Sequence, residues 1–138
     1  MKNILTQDTD IKNLLKSSKT IAVVGLSTDP TKPSYEVSAY MQSKGYKIVP
    51  VRPGAQEILG EKVYASLSEI PFPIDMVDIF RQREAIPGVV DEAIKVKAKA
   101  VWMQLGLEHD EAAQKGANAG LKVVQDRCLL IEHKKLCL

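Results

Sequence analysis

Cysteine is scarce in this 138-residue chain, present only as Cys128 and Cys137, both near the C-terminus. Two thiols so placed make neither a disulfide framework nor a metal-ligand pattern, and they read as the reduced thiols of a cytoplasmic protein. Aromatic residues are few (two Phe, four Tyr, one Trp). They form no basic-aromatic stripe, which excludes the stacking platforms of single-strand nucleic-acid binders. Charge of one sign is lacking too: 19 Lys and Arg stand against 17 Asp and Glu, a net of +2, too little to imply a nucleic-acid partner. No apolar run approaches the roughly 20 residues that cross a bilayer. Residues 1–19 are polar and mixed in charge, with no apolar h-region, so neither a membrane span nor a signal peptide is expected. The two histidines, His109 and His133, lie in no motif with a Ser, Cys or carboxylate partner.

What remains is a globular composition, 45% hydrophobic and 26% charged, suited to one core and one domain over residues 1–138. Residues 1–13 read as a leading segment and 129–138 as a C-terminal tail. The chain is organised around residues 20–35. Residues 21–24 are apolar and read as a strand buried on both faces. Gly25 ends the run, residues 26–33 form a loop rich in Ser, Thr and Pro, and Ser34 stands as an N-cap, with Glu36 suited to the positive helix end. Strand, loop and helix start aim backbone N–H groups and a helix dipole at one point, which suits a phosphate. The glycines of a dinucleotide fingerprint are missing: Ser27 and Pro30 stand in their region. The plainer alternative is that Gly25 simply allows a sharp strand exit.

Further along, strands and helices alternate. A short helix is expected over 10–17 with Asp10 as cap, and a helix over 34–44 stopped by Gly45. A strand follows at 47–51, its end made irregular by Pro50 and Pro53. An edge strand at 62–64, a capping box at Ser66 and Glu69, a strand at 74–80 and a helix over 84–96 come next. Then come a strand at 99–103, a helix over 108–119 and a strand at 121–124. This pattern predicts an α/β fold, a doubly wound parallel sheet of five to six strands with helices on both faces. Ligands of such sheets bind beyond the carboxyl ends of the strands. Those ends carry residues 25–35, Arg52-Pro53, residues 80–83 and Met103-Gln104. The set suits an anionic, partly apolar ligand and contains no catalytic constellation. Arg52 stands where nicotinamide binders carry an acidic residue, which favours a ribose phosphate, as in coenzyme A or NADP. A solvated arginine is the plainer alternative. Tyr35 suits packing or ligand contact equally. Asp75 and Asp78 point to opposite strand faces, against a paired-carboxylate mechanism. Trp102 reads as core. Cys128, beside Arg127, is either a reactive thiol or a buried structural one.

Several blocks carry a family resemblance: Val24-Gly25-Leu26-Ser27, Ser34-Tyr35-Glu36-Val37, Ile48-Val49-Pro50-Val51, Glu57-Ile58-Leu59-Gly60, Val77-Asp78-Ile79-Phe80-Arg81, Val101-Trp102-Met103-Gln104-Leu105-Gly106 and Asp126-Arg127-Cys128. The chain resembles the small, stand-alone CoA-binding domain proteins of bacteria and archaea. These resemble the N-terminal CoA-binding domain of the succinyl-CoA synthetase alpha subunit. The resemblance implies a Rossmann-like fold that binds coenzyme A or an acyl-CoA, without catalysis of its own. It also leaves room for a protein partner or homo-oligomer. It places the phosphates against Gly25, Leu26, Ser27, Ser34 and Tyr35, the ribose phosphate near Arg52 and Pro53, and Phe80, Arg81 and Gln104 along the cleft. Lys32 and Arg83 add positive charge. Arg52, Arg83 and Gln125 depart from the family's usual Asn, Ser and Met. The phosphohistidine domain of the synthetases has no counterpart here. An NADP-linked oxidoreductase is the alternative.

Overall fold

The structure, a computed structural model, describes residues 3–136. Apolar runs buried on both faces are satisfied only inside a parallel sheet, and they build one here. In chain order the elements are α1 (Asp8–Ser17), β1 (Thr20–Val24), α2 (Pro33–Ser43), β2 (Lys47–Val51), β3 (Glu57–Ile58), β4 (Glu61–Lys62), β5 (Met76–Ile79), α3 (Ile86–Lys95), β6 (Ala100–Met103), α4 (Asp110–Asn118), β7 (Lys122–Val124) and α5 (Leu129–Lys135). The main sheet is parallel with order β2-β1-β5-β6-β7, and β3 and β4 form a small antiparallel hairpin outside it. Strand order reverses between β1 and β5, which opens a crevice at their carboxyl ends.

Alternation along the strands sorts the core into two layers. Ala22, Val24, Val77, Ile79, Val101 and Met103 pack against α3 and α4. Ile21, Val23, Met76, Ala100 and Trp102 pack against α1, α2 and α5. The expected doubly wound sheet with helices on both faces is therefore what forms, with five strands. No helix among the described residues is long and apolar enough to cross a membrane.

Several local expectations are corrected. Helix α1 starts at Asp8, two residues before the expected start, and Asp10 lies in its first turn instead of capping it. Pro50 does not disrupt its strand: it sits in register with Val23 in β2. Its carbonyl accepts the Tyr64 N–H from outside the sheet at 3.0 Å. The missing proline N–H thus faces away from β1 on an edge strand, where it costs little. The expected edge strand at 62–64 becomes β4 plus an isolated bridge between Tyr64 and Val51. The capping box at Ser66 does not form. The Leu67 N–H donates instead to Glu92 Oε1 at 2.8 Å, a tertiary cap from α3.

The two ends of the chain are also more structured than expected. The leading segment lies along the free edge of β7, where the Leu5 N–H donates to the Val123 carbonyl (2.7 Å) and the Val123 N–H to the Asn3 carbonyl (2.8 Å). This covers an edge that would otherwise be open to pairing. The expected tail contains α5, which buries Leu129, Glu132 and His133. Arg127 ties both ends together, donating to Glu132 Oε1 at 3.1 Å and to the Thr6 carbonyl at 3.0 Å.

Trp102 is fully buried in the layer beneath α5, and its Nε1–H donates to the Arg127 carbonyl at 2.8 Å. Trp102→Phe keeps most of the packing but leaves that carbonyl without its donor. We expect a loss of about 1–3 kcal/mol in urea unfolding. A change within about 0.5 kcal/mol, the size of a neutral surface substitution, would show that the indole bond holds nothing.

Candidate functional site

The site is set by a close approach. Gly25 leaves β1 at φ +91°, and a Cβ there would lie 2.3 Å from the Phe80 carbonyl oxygen at the end of β5. Only glycine tolerates both the backbone angle and the contact. The Gly25 N–H donates to the Val51 carbonyl and the Phe80 N–H to the Val24 carbonyl, each at 2.9 Å. The ends of β2, β1 and β5 are thereby laced together at the point where strand order reverses.

The loop after Gly25 holds its own shape. The Asp29 N–H donates to Ser27 Oγ at 3.0 Å, and Asp29 Oδ1 accepts the Thr31 N–H at 2.9 Å and the Thr31 hydroxyl at 2.8 Å. Hydrogen bonds from the Thr31 backbone and hydroxyl hold the Asp29 carboxyl below the usual range. Ser34 is not the N-cap. It is the second residue of α2, behind Pro33, and its Oγ accepts the Ser27 N–H at 2.9 Å. Lys32 occupies the cap position without a capping side-chain bond. At the helix start Pro33 has no N–H, and the Tyr35 and Glu36 N–H groups both donate to the Lys32 carbonyl at 3.1 Å, with Glu36 itself in the first turn.

Two cavities meet here. A cleft of about 770 Å³ has Ser27, Lys32, Ser34, Arg81 and Gln104 along its polar side. Gly25, Phe80, Val37, Leu107 and Pro33 line it as well, as do Leu105, Ile131 and Cys128. A neighbouring depression of about 310 Å³ contains Arg52 and Pro53, and Arg81 borders both. Seven of the expected site residues therefore lie on the cleft and two on the depression. Three lie on neither. Leu26 is fully buried in the core and offers a ligand no surface. Tyr35 is half-buried against the core on the α2 side. Arg83 is turned away, its Nε–H donating to the Glu108 carbonyl at 3.0 Å. A larger groove of about 920 Å³ opens at the opposite edge of the sheet, among Asp75, Lys97, Lys99 and Lys122. It gathers none of the expected residues and lies at the amino ends of the strands.

Val37, Leu105, Leu107 and Ile131 were not among the expected site residues. Val37 carries only the mark of a helix core position, and Leu105 and Ile131 carry no periodicity. Val37 and Leu105 lie inside blocks that carry the family resemblance and Leu107 follows one directly, whereas Ile131, three residues beyond Cys128, has no such signal.

The remaining candidates resolve into structural roles. His109 caps α4, its Nδ1 accepting the Ala112 N–H at 3.2 Å. His133 is buried against α2 with Nδ1 at 2.8 Å from the Tyr40 hydroxyl. Burial, then the nearby Lys44, hold its pKa below the usual value. Asp75 accepts the N–H groups of Lys19 (2.9 Å) and Thr20 (3.0 Å) at the far end of the sheet. Burial pushes its pKa upward, but these bonds and Lys99 outweigh that and leave it lowered. Cys128 is a half-buried free thiol on the cleft wall. The Arg127 guanidinium does not serve it, being committed to Glu132 and Thr6. Cys137 lies outside the described residues.

Asp78 is the one acidic group sunk into the sheet, 1% exposed, and it accepts a hydrogen bond from Gln104 Nε2. Gln104 Oε1 in turn accepts the Leu129 N–H of α5 at 3.3 Å. The second oxygen of Asp78 has no partner among the described residues. Burial pushes its pKa up to about 7, against the lowering effect of the Gln104 bond. A carboxyl raised in the folded state is protonated there while the unfolded chain ionises. Its contribution is therefore complete below about pH 4 and is lost as pH rises through about 7. We expect Asp78→Asn, which cannot ionise, to gain stability over the native protein between about pH 5 and about pH 8, by roughly 2 kcal/mol. Urea unfolding of both proteins at the two pH values checks this; parallel stabilities would show that Asp78 does not titrate on folding.

Comparison with known proteins gives a consistent result. The family described as CoA binding domain matches residues 19–134. The Bacillus subtilis (strain 168) protein YneT is 45% identical over 124 residues, covering 90% of this chain and 92% of that one. A solved hypothetical protein from Pyrococcus horikoshii OT3 superposes with a TM-score of 0.91 at 39% identity, covering 95% of this chain and 92% of that one. The ADP-forming acetate–CoA ligase II of Archaeoglobus fulgidus is 33% identical over 110 residues, 78% of this chain but 16% of the ligase. The open loop after β1, the cleft at the strand-order reversal and these likenesses agree: the chain belongs to the CoA-binding domain family.

Proposed function

We propose that this protein binds coenzyme A across the carboxyl ends of β2, β1, β5 and β6, and acts as a binding module in the cytoplasm. The observation that carries the reading is the cleft that gathers Gly25, the start of α2, Lys32 and Arg81, in a chain of this family. A diphosphate suits that position, because the positive end of the helix dipole lies there and the cations Lys32 and Arg81 offset its charge. The pantetheine arm would follow the cleft past Phe80 to Gln104. The adenosine and its 3′-phosphate would take the depression at Arg52 and Pro53, with Arg81 serving both ends. Tyr35 and Arg83 would support the site from outside these cavities. Cysteine, histidine and carboxylate groups gather into no metal cluster among the described residues.

A thermal-shift titration with coenzyme A, dephospho-CoA and NADPH tests the reading. At a hundredfold excess over Kd a ligand adds about 2.7 kcal/mol, or roughly 5–10 °C for a chain of this size. Coenzyme A is expected to give that shift. A shift with NADPH alone would replace the reading with a nicotinamide one. Arg52→Ala should weaken coenzyme A by about 1.5–3 kcal/mol through loss of a charged phosphate contact. It should leave dephospho-CoA unchanged. Equal loss for both ligands would remove Arg52 from the 3′-phosphate.

A further inference from the structure

Two large apolar side chains stand out in solvent among the described residues: Leu105, 65% exposed, and Ile131, 51% exposed. They come from different elements, the loop after β6 and helix α5, yet both lie on the cleft that holds Ser27, Lys32 and Arg81. Val37, Phe80 and Leu107 continue the apolar lining. One continuous cleft thus has cations and a helix start on one part and an aliphatic wall on another. The terminal thiol of coenzyme A is too small to cover such a wall, whereas each methylene group of an acyl chain buried against it adds favourable apolar burial.

Gln104 adds a second, independent observation. Its amide is fixed from both sides, Nε2 donating to Asp78 and Oε1 accepting the Leu129 N–H. One Nε2 hydrogen is then left without a protein acceptor among the described residues, in a side chain that lines the cleft. A thioester carbonyl is a good acceptor for that hydrogen, and a thiol sulfur a weak one.

We infer that the ligand is an acyl thioester of coenzyme A with a saturated chain longer than acetyl, its carbonyl at Gln104 and its chain against Leu105 and Ile131. This rests on the coenzyme A reading above. An amphipathic small molecule matches the cleft better than a macromolecule does, because two side chains offer far less than the roughly 800 Å² per partner of a stable protein interface.

Isothermal titration with coenzyme A and with acetyl-, butyryl-, hexanoyl- and octanoyl-CoA decides it. Each buried methylene should tighten binding about two- to fourfold, so hexanoyl-CoA should bind at least about tenfold tighter than acetyl-CoA. Leu105→Ser and Ile131→Ser, at positions too exposed to threaten the fold, should flatten that dependence. Equal affinity across the series overturns the inference while leaving coenzyme A binding intact, as does an octanoyl thioester that binds more weakly than coenzyme A. Silence with every ligand removes the coenzyme A reading, and the inference with it. If the two serine variants keep the full chain-length dependence, the aliphatic wall is not where the chain lies.

Discussion

Everything at the carboxyl edge depends on the contact between Gly25 and the Phe80 carbonyl. Parallel strands sit about 4.8 Å apart, so where two neighbouring strands end together, their exit loops compete for the same space. Here the β1 exit bends over the end of β5 with only a hydrogen where a side chain would be. That bend turns the chain toward α2 and carries the Ser27–Ser34 bond, which seats the loop on the helix start. A methyl group at position 25 would have to push the two strand ends apart, and the crevice between them is the site. The constraint therefore lives on the backbone, and the side chains around it inherit their positions.

The Asp126-Arg127-Cys128 block shows how one short segment serves three ends at once. Asp126, in the left-handed region at φ 55°, accepts the Gly106 N–H at 2.7 Å and donates its own N–H to the Leu107 carbonyl at 3.0 Å. It thereby sets the loop that presents Leu105. Arg127 reaches outward to Thr6 and Glu132 and fastens both ends of the chain, while its carbonyl takes the Trp102 indole. Cys128 then starts α5 on the cleft wall. Asp126 and Arg127 act through their side chains, whereas the bond to Trp102 uses only the backbone of position 127.

The elements were legible where burial alone decides them. The runs at 21–24, 48–51 and 100–103 are apolar on both faces, and a parallel sheet is their one satisfactory setting. Gly45 ended α2 as expected, at φ +96°. The misses fall where a local signal was answered by a distant partner. Ser34 caps nothing on its own helix because the Ser27 N–H claims its oxygen. Ser66 loses its cap role to Glu92, 26 positions on. Helix α5 was read as tail because it is only seven residues long and its stability comes from packing on α2, which no local pattern announces. At the site, the glycine, the hydroxyls and the strand-end cations were visible as residue types at strand ends. The aliphatic wall was not, since exposed leucines and isoleucines are ordinary until the fold shows that they share one cleft.

The same lacing explains how such a unit can also be carried inside a longer chain, as the matching region is in the Archaeoglobus fulgidus ligase. Residues 3–8 run beside β7, and α5 returns to them, with Lys135 Nζ 3.3 Å from Asp8 Oδ1 and Arg127 on Thr6. Chain ends that meet on one side can be joined to further sequence without disturbing the core. They meet beside α5, whose first residues also carry Cys128 and Ile131 onto the cleft. That helix is held to the sheet by the Leu129–Gln104–Asp78 chain of hydrogen bonds. The buried carboxyl, costly to ionise where it stands, keeps Gln104 aimed, and Gln104 keeps α5 at the edge of the cleft. The same two bonds run from the buried Asp78 carboxyl through Gln104 to the first residue of α5.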